Sequence, residues 1–218
     1  MFVGHFGVGL AAKSVSKRTS LGTLFLAAQF VDLLWPILLM AKWESVEIAP
    51  GHTAVTPLNF VHYPISHSLL MCGVWAFGFA GVYALASKDP RGARVCGAAV
   101  MSHWILDFVT HRPDLPLFPG SDTFVGLGLW YSVPATIAVE GFLFAAGIWL
   151  YTRCTRSRNR VGTWGFWSLL LFLVLIYIGN LFGDPPPNAA MISWVGNAQW
   201  FLIIWAYWVD RHREVLAC

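Results

Sequence analysis

The sequence predicts an all-α fold, a helical bundle that crosses a membrane several times. Of the 218 residues, 57% are hydrophobic and only 11% are charged, whereas about a quarter of an ordinary soluble domain is charged. The mean hydropathy is +0.61. The apolar residues cluster in runs of about twenty, the length that a helix needs to cross about 30 Å of hydrocarbon. These observations exclude a typical soluble enzyme and predict a polytopic integral membrane protein.

The N-terminal part of the chain contains a short apolar segment and two predicted spans. Residues 2 to 12 are apolar but too short to cross, so we predict a short helix that dips into the bilayer or packs on the bundle. Residues 21 to 41 form the first predicted span, in which Pro36 is expected to kink the helix. The second predicted span covers 66 to 87, with Ser66 as a candidate N-cap.

Four further apolar runs bring the prediction to six spans and a single integral-membrane domain over residues 1 to 218. The third ends before Pro113, the fourth carries Glu140 at its middle, and the fifth stops at a GDPPPN turn. No repeat, low-complexity tract or linker divides the chain. These spans cover residues 93 to 111, 130 to 151, 161 to 182 and 191 to 209.

Basic residues alternate between the two sides of the predicted bundle. Three precede the first span, three lie in the loop 88 to 94, four lie in the loop 152 to 160, and the tail holds Arg211 and Arg213. The opposite loops hold one each or none. The positive-inside rule therefore predicts that both termini are cytoplasmic. The small net charge of +3 is spread over these loops, so a nucleic-acid partner is not expected.

The stretch SHWILDFVTH in the third span is the main candidate for a functional site. Its polar residues His103, Asp107 and His111 are four apart, and this spacing places them along one face of a helix. Ionisable side chains inside a membrane are costly, so they indicate function.

Counting the helical rise from the basic ends places several polar residues at one depth. Asp32, Asp107 and Glu140 lie about 18 to 20 Å above the cytoplasmic ends of their spans. A helix over 2 to 12 would bring His5 near the level of His103. His67 is estimated about 15 Å from His103 in depth, near the outer surface.

Clustered carboxylates in a medium of low dielectric need a positive counterion, and the lysines and arginines all lie in loops. A divalent cation is the simplest choice, and His and Asp ligands without Cys suit zinc best, with manganese or iron as alternatives. Glu140 or Asp107 is then the candidate general base, or orients a ligand. The site is expected to open to the non-cytoplasmic side, where His62, His67 and His111 lie. We therefore consider His62 and His111 as candidates to orient the metal ligands by hydrogen bonds.

Five residues carry a resemblance to a known family. His5 in HFGVGLAA, Asp32 in QFVDLLWP, His67 in ISHSLL, and His103 with Asp107 in SHWILDFVTH resemble the signature of the bacterial membrane-bound metal-dependent hydrolases, the YdjM-like group. The resemblance covers roughly the first 115 residues. The chain has Ser66 where the family tends to have Thr, and VTHRPDLP where a Gly-containing turn is more usual.

This resemblance implies an inner-membrane protein with a His/Asp metal centre and a hydrolytic activity, distantly similar to zinc-dependent phospholipase C. Our first hypothesis is therefore a metal-dependent hydrolase that acts on a phosphoester or related ester bond of a lipid or lipid-linked substrate. It implies metal ligation by five residues: His5, Asp32, His67, His103 and Asp107. Glu140 and His111 lie outside the family pattern and depend on depth and spacing alone.

Two other functions remain open on the sequence. Midplane carboxylates could serve a proton or metal-ion transporter, although the polar residues do not continue to the cytoplasmic ends. A bis-His haem protein would use His67 and His103 as the axial pair, but their estimated difference in depth argues against it.

Overall fold

The computed structural model describes residues 1–216, and it is mostly helical, with 68% of the residues in helices. Three small antiparallel strand pairs, β1 with β2, β3 with β4 and β5 with β6, lie in the connections. The helices are α1 Val3–Val15, α2 Leu21–Ala28, α3 Phe30–Met40, α4 Pro64–His67, α5 Leu69–Ser87, α6 Pro90–Thr110, α7 Val133–Cys154, α8 Arg160–Phe182, α9 Ala189–Asn197 and α10 Gln199–Arg211. The strands are β1 Ser45–Ile48, β2 Leu58–His62, β3 Leu115–Pro116, β4 Phe124–Val125, β5 Thr155–Ser157 and β6 Arg213–Val215.

Four segments are long and apolar enough to cross a membrane: α5, α7, α8 and the continuous stretch of α9 and α10. The bent pair of α2 and α3 would make a fifth span if it crosses as one unit. The structure thus supports a membrane-type helical bundle, whereas the count of six spans is not confirmed. The helix α6 has the length, but Arg94, His103 and Asp107 interrupt its apolar sequence.

The first predicted span is broken at Gln29, where we expected no break. The helices α2 and α3 meet at an angle of 57°, whereas Pro36 lies inside α3. At the break, Gln29 N donates to Phe25 O and the next bond of this type runs from Leu33 N to Gln29 O. The break leaves the carbonyl of Ala28 free to accept a hydrogen bond from another helix.

The second predicted span also begins differently. The short helix α4 ends at His67, Ser68 adopts an extended conformation, and α5 starts at Leu69. Ser68 is the N-cap of α5, since its side chain accepts from Met71 N, so the prediction of Ser66 as the cap was wrong. Because α4 is a separate element, His67 does not stand at the head of a long span. It lies inside the bundle and is 3% exposed.

The N-terminal helix α1 packs in the interior of the bundle against α7. Phe6 and Leu10 are fully buried there in a core shared with α7, α8 and α10. Two glycines allow the close approach, because a Cβ at Gly7 would lie 2.6 Å from Leu143 O and one at Gly147 would lie 2.2 Å from Gly7 O. This packing holds His5 in the middle of the protein, where it is 0% exposed.

Candidate metal centre

Five side chains from four helices converge in the interior. They are His5 on α1, Asp32 on α3, His67 on α4, and His103 and Asp107 on α6. His103 Nε2 lies 3.2 Å from Asp107 Oδ2 and 3.5 Å from Asp32 Oδ1. His67 Nε2 lies 3.4 Å from Asp32 Oδ1 and 3.8 Å from Asp107 Oδ2. We call these five residues the His/Asp cluster.

The helix break at Gln29 fixes the protonation of His103. Its Nδ1 lies 2.8 Å from the carbonyl oxygen of Ala28, which can only accept, so Nδ1 carries a proton and donates it. Its Nε2 is buried and has no hydrogen-bond partner among the described residues, although two carboxylates lie close to it. In the neutral imidazole this nitrogen carries an unshared electron pair, which is directed between the carboxylates of Asp32 and Asp107.

A second row of hydrogen bonds holds His67. Its Nδ1 lies 2.7 Å from Ser66 Oγ, and Ser66 Oγ donates to Glu44 Oε2 at 2.6 Å. The other oxygen of Glu44 accepts from the backbone amides of Ile65 and Ser66, each at 2.8 Å. Glu44 is 4% exposed. The sequence placed it in a loop without a role, because nothing local shows that the loop folds inward onto α4.

The two oxygens of Asp107 face different partners. Oδ2 faces His103 and His67, whereas Oδ1 lies 3.2 Å from His5 Nε2 and 2.6 Å from the amino group of Met1. The ring of His5 stacks on that of His103 with the centroids 3.7 Å apart. His5 Nδ1 is buried without a partner among the described residues. Asp107 thus links the N-terminal helix to the other ligands.

The dimensions of the cluster fit a small divalent ion. Ligands at about 2.0 to 2.1 Å from a tetrahedral zinc ion lie about 3.3 Å from one another, close to the observed separations of 3.2 to 3.5 Å between His103 or His67 and the nearer carboxylate oxygens. Within residues 1–216, no Lys or Arg forms an ion pair with Asp32 or Asp107; the amino group of Met1 pairs with Oδ1 of Asp107, whereas Oδ2 and Asp32 face the two imidazoles. The donors are nitrogen and oxygen only, as zinc, manganese or iron would accept.

A cavity of about 390 Å³ reaches the cluster. Asp32, His67 and Asp107 line its polar end, and Asp32 is the most accessible of the five, with 22% of its side chain exposed. The walls beyond are largely apolar and aromatic. They include Phe2, Trp35, Phe60, Trp130, Tyr177, Leu181, Met191 and Ile192.

Glu140, the candidate base, lies at the wall of this cavity and also caps α1. Its Oε2 accepts hydrogen bonds from Phe2 N at 2.8 Å and Gly4 N at 3.2 Å. Its Oε1 accepts no hydrogen bond from the described residues. The carboxylate therefore stabilises the helix that carries His5 while one oxygen remains available to the cavity.

The two remaining histidines of the prediction have different surroundings. His111 is 2% exposed, lines the cavity and packs against Trp130 with the ring centroids 4.2 Å apart, and its Nδ1 lies 3.0 Å from Asp114 Oδ1. Burial raises the pKa of Asp114, but hydrogen bonds from His111, Arg112 and Tyr63 lower this pKa below its usual value. His62 is exposed on β2 and does not line the cavity, so the structure does not bring it to the cluster.

The estimate that His67 lies about 15 Å in depth from His103 was wrong. Their ring centroids are 5.6 Å apart, because α4 folds into the bundle as a separate element. The rings are nearly perpendicular, at 67°, and both Nε2 atoms face the same two carboxylates. The two rings therefore do not flank a plane in which a porphyrin could lie, which disfavours the bis-His haem alternative.

Fold and site together define a class: a helical bundle with membrane-length apolar helices and a buried His/Asp cluster at the end of an apolar cavity. No family model, no curated protein and no solved structure matches the chain. The residues above are therefore the basis for a functional proposal.

Proposed function

We propose that this protein is a membrane-embedded, zinc-dependent hydrolase that cleaves a phosphoester or related ester bond of a lipid or lipid-linked substrate. The observation that carries the proposal is the buried Nε2 of His103, which has no hydrogen-bond partner among the described residues and lies between Asp32 and Asp107 while its Nδ1 donates to Ala28 O. Two carboxylates and an unprotonated imidazole nitrogen in a buried site repel one another unless a proton or a metal cation lies between them, and a divalent cation would satisfy all three. The motif resemblance to bacterial membrane-bound metal-dependent hydrolases also supports the proposal.

In this proposal Asp32, His67, His103 and Asp107 hold the ion, and His5 binds the far oxygen of Asp107. Zinc held there would supply Lewis-acid chemistry, polarising an ester oxygen and lowering the pKa of a water molecule to about 7. Glu140 is the proposed proton acceptor, since it lines the cavity and has a free Oε1. Backbone amides of α1 fix its other oxygen.

The aromatic walls of the cavity favour a substrate with an apolar chain. Trp35, Phe60 and Trp130 provide a surface that an acyl or isoprenoid chain would cover. Many of the other lining residues come from the β1–β2 connection, the C-terminal end of α8 and the helix α9. If the basic loops are cytoplasmic, as we propose, the cavity opens to the opposite side, both termini are cytoplasmic, and α6 is the sixth span of a bacterial inner-membrane protein.

A proton or metal-ion transporter is the second candidate, and the packing below the cluster disfavours it. On the side nearer the basic loops, Leu24, Ala28, Cys96 and Val100 belong to a buried apolar cluster, with exposures of at most 1%. A transporter would need a polar route past this cluster.

Elemental analysis of the protein, purified without chelators, tests the proposal directly. We expect about one zinc ion per chain and hydrolysis in a screen of lipid phosphoesters that stops when a chelator is added. A protein that carries no divalent metal and gains none on incubation with zinc would overturn the proposal. Zinc-loaded protein that moves protons or metal ions across liposomes, without hydrolysis, would support the transporter instead.

A further inference from the structure

Glu44, Ser66 and His67 form a chain of hydrogen bonds, and their chemistry determines which atom is the donor in each bond. Both oxygens of Glu44 are engaged, Oε1 with two backbone amides and Oε2 with Ser66 Oγ. An ionised carboxylate can only accept, so the hydroxyl of Ser66 gives its hydrogen to Glu44. Ser66 Oγ can also reach Tyr63 O, but at 3.4 Å this contact is much longer than the 2.6 Å to Glu44.

This direction determines which nitrogen of His67 carries the proton. With its hydrogen committed to Glu44, Ser66 Oγ offers only lone pairs to His67 Nδ1, 2.7 Å away. Nδ1 must therefore be the protonated nitrogen of the neutral ring. Nε2 is then left as the lone pair that faces Asp32 and Asp107.

We propose that Glu44, acting through Ser66, is a positioning residue that holds His67 in the Nδ1–H tautomer and so prepares its Nε2 for a divalent cation. The inference rests on the proposed function for the ligand, although the tautomer itself can be measured without any metal. All three side chains are nearly inaccessible, at 4%, 0% and 3% exposure, so water does not compete for these hydrogen bonds. Hydrogen-bonded acids behind ligand histidines orient the ring and raise its basicity.

Glu44→Gln is the most informative change because it is isosteric. Its carbonyl would keep accepting from the backbone amides of Ile65 and Ser66, which places the NH2 group opposite Ser66 Oγ. Ser66 would then accept from the amide and turn its own hydrogen towards His67 Nδ1. The ring proton would shift to Nε2, the nitrogen that the cation needs.

The experiment is ¹⁵N NMR of the full chain in lipid nanodiscs, metal-free, with ¹⁵N-labelled histidine rings. Comparison with His67→Gln identifies the His67 signals among those of the seven histidines. We expect a protonated Nδ1 in the wild type, a population with protonated Nε2 in Glu44→Gln, and no change in the matched control Glu47→Gln, an exposed acid in β1, the strand that follows Glu44. Zinc affinity should fall by about 10- to 100-fold in Glu44→Gln and stay unchanged in Glu47→Gln.

A second pair of variants keeps the test decisive if Glu44→Gln does not fold. Ser66→Thr retains the hydroxyl and should keep the wild-type tautomer and zinc affinity, whereas Ser66→Ala should lose both. A wild-type His67 with its proton on Nε2, or a Glu44→Gln protein with unchanged tautomer and affinity, would overturn the inference. A wild-type protein with protonated Nδ1 on His67 that binds no metal would support the hydrogen-bond chain from Glu44 to His67 and refute the proposed function.

Discussion

Asp107 is the residue on which the geometry of the cluster depends most. It contacts His103 and His67 through one oxygen and His5 through the other, so it connects α1, α4 and α6. Removing its charge would leave the donor nitrogens with one carboxylate, Asp32, among the proposed ligands.

We expect Asp107→Asn to reduce bound zinc from about one ion per chain to a small fraction, because the amide is a weak ligand and removes a negative charge beside the cation. Metal analysis of the purified variant measures this loss. Asp122→Asn is the matched control, since Asp122 is exposed in a loop outside the cavity. Full zinc occupancy in Asp107→Asn would remove Asp107 from the ligand set.

Glu140→Gln should separate catalysis from metal binding. The amide oxygen can still accept from Phe2 N and Gly4 N, so α1 should stay in place and zinc content should not change. A lost proton acceptor costs about 100-fold or more in rate, which steady-state hydrolysis of the lipid ester found in the screen would measure. Unchanged turnover would show that Glu140 only caps α1.

At the level of elements, two structural features bring the ligands together. The break at Gln29 turns the chain by 57° and supplies the carbonyl that orients His103. The close packing of α1 on α7 places His5 beside Asp107. Neither feature is formed by the side chains of the candidate ligands, so substitutions distant from the His/Asp cluster should affect its geometry.

The contact between α1 and α7 leads to a prediction with a control on the same helix. Gly147→Ala would place a Cβ 2.2 Å from Gly7 O, so we expect a loss of about 1 to 3 kcal/mol in the free energy of unfolding and weaker zinc binding as α1 is displaced. Gly141→Ala meets no atom within 4 Å and should be neutral or stabilise α7 by up to about 1 kcal/mol. Denaturant unfolding in detergent compares the two variants. Equal stability would show that the helices are less closely packed than described.

For the whole molecule, the cluster acts as a cross-link between α1, α3, α4 and α6. A ligand that binds only the folded state stabilises it, by about 4 kcal/mol at a thousand-fold excess over its dissociation constant. We therefore expect zinc to raise the Tm of the chelator-treated protein and expect no such rise in Asp107→Asn. Thermal unfolding followed in detergent checks this. An equal zinc-induced rise in both proteins would place the binding elsewhere.

The proposed orientation is tested by reporter fusions along the chain. A reporter that is active only outside the cytoplasm should be active when fused after Asp122 and inactive when fused after Arg158, because the basic residues near Arg158 hold that loop inside. A reporter active only in the cytoplasm should give the reverse result. Activity of the first reporter at Arg158 would invert the topology and place the cavity on the cytoplasmic side.

The amino-acid sequence by itself determined the class of fold and one pair of site residues. Composition and the length of the apolar runs are local properties, and they were sufficient to predict a membrane-type helical bundle. The i, i+4 spacing of His103 and Asp107 likewise predicts their shared helix face, because helix geometry is the same everywhere. The predicted N-cap at Ser66 and the predicted depth of His67 were wrong, since both depend on how α4 folds into the bundle.

Only the tertiary structure decided which of the separate polar residues meet, and in what chemical form. His5, Asp32 and His67 reach Asp107 or His103 from helices far apart in the chain, through packing that no local pattern specifies. The tautomers of His103 and His67 depend on Ala28 O and on Glu44 through Ser66. A backbone carbonyl freed by a helix break and a loop acid folded inward leave no signal in sequence spacing, because their contacts form only when the whole bundle is assembled.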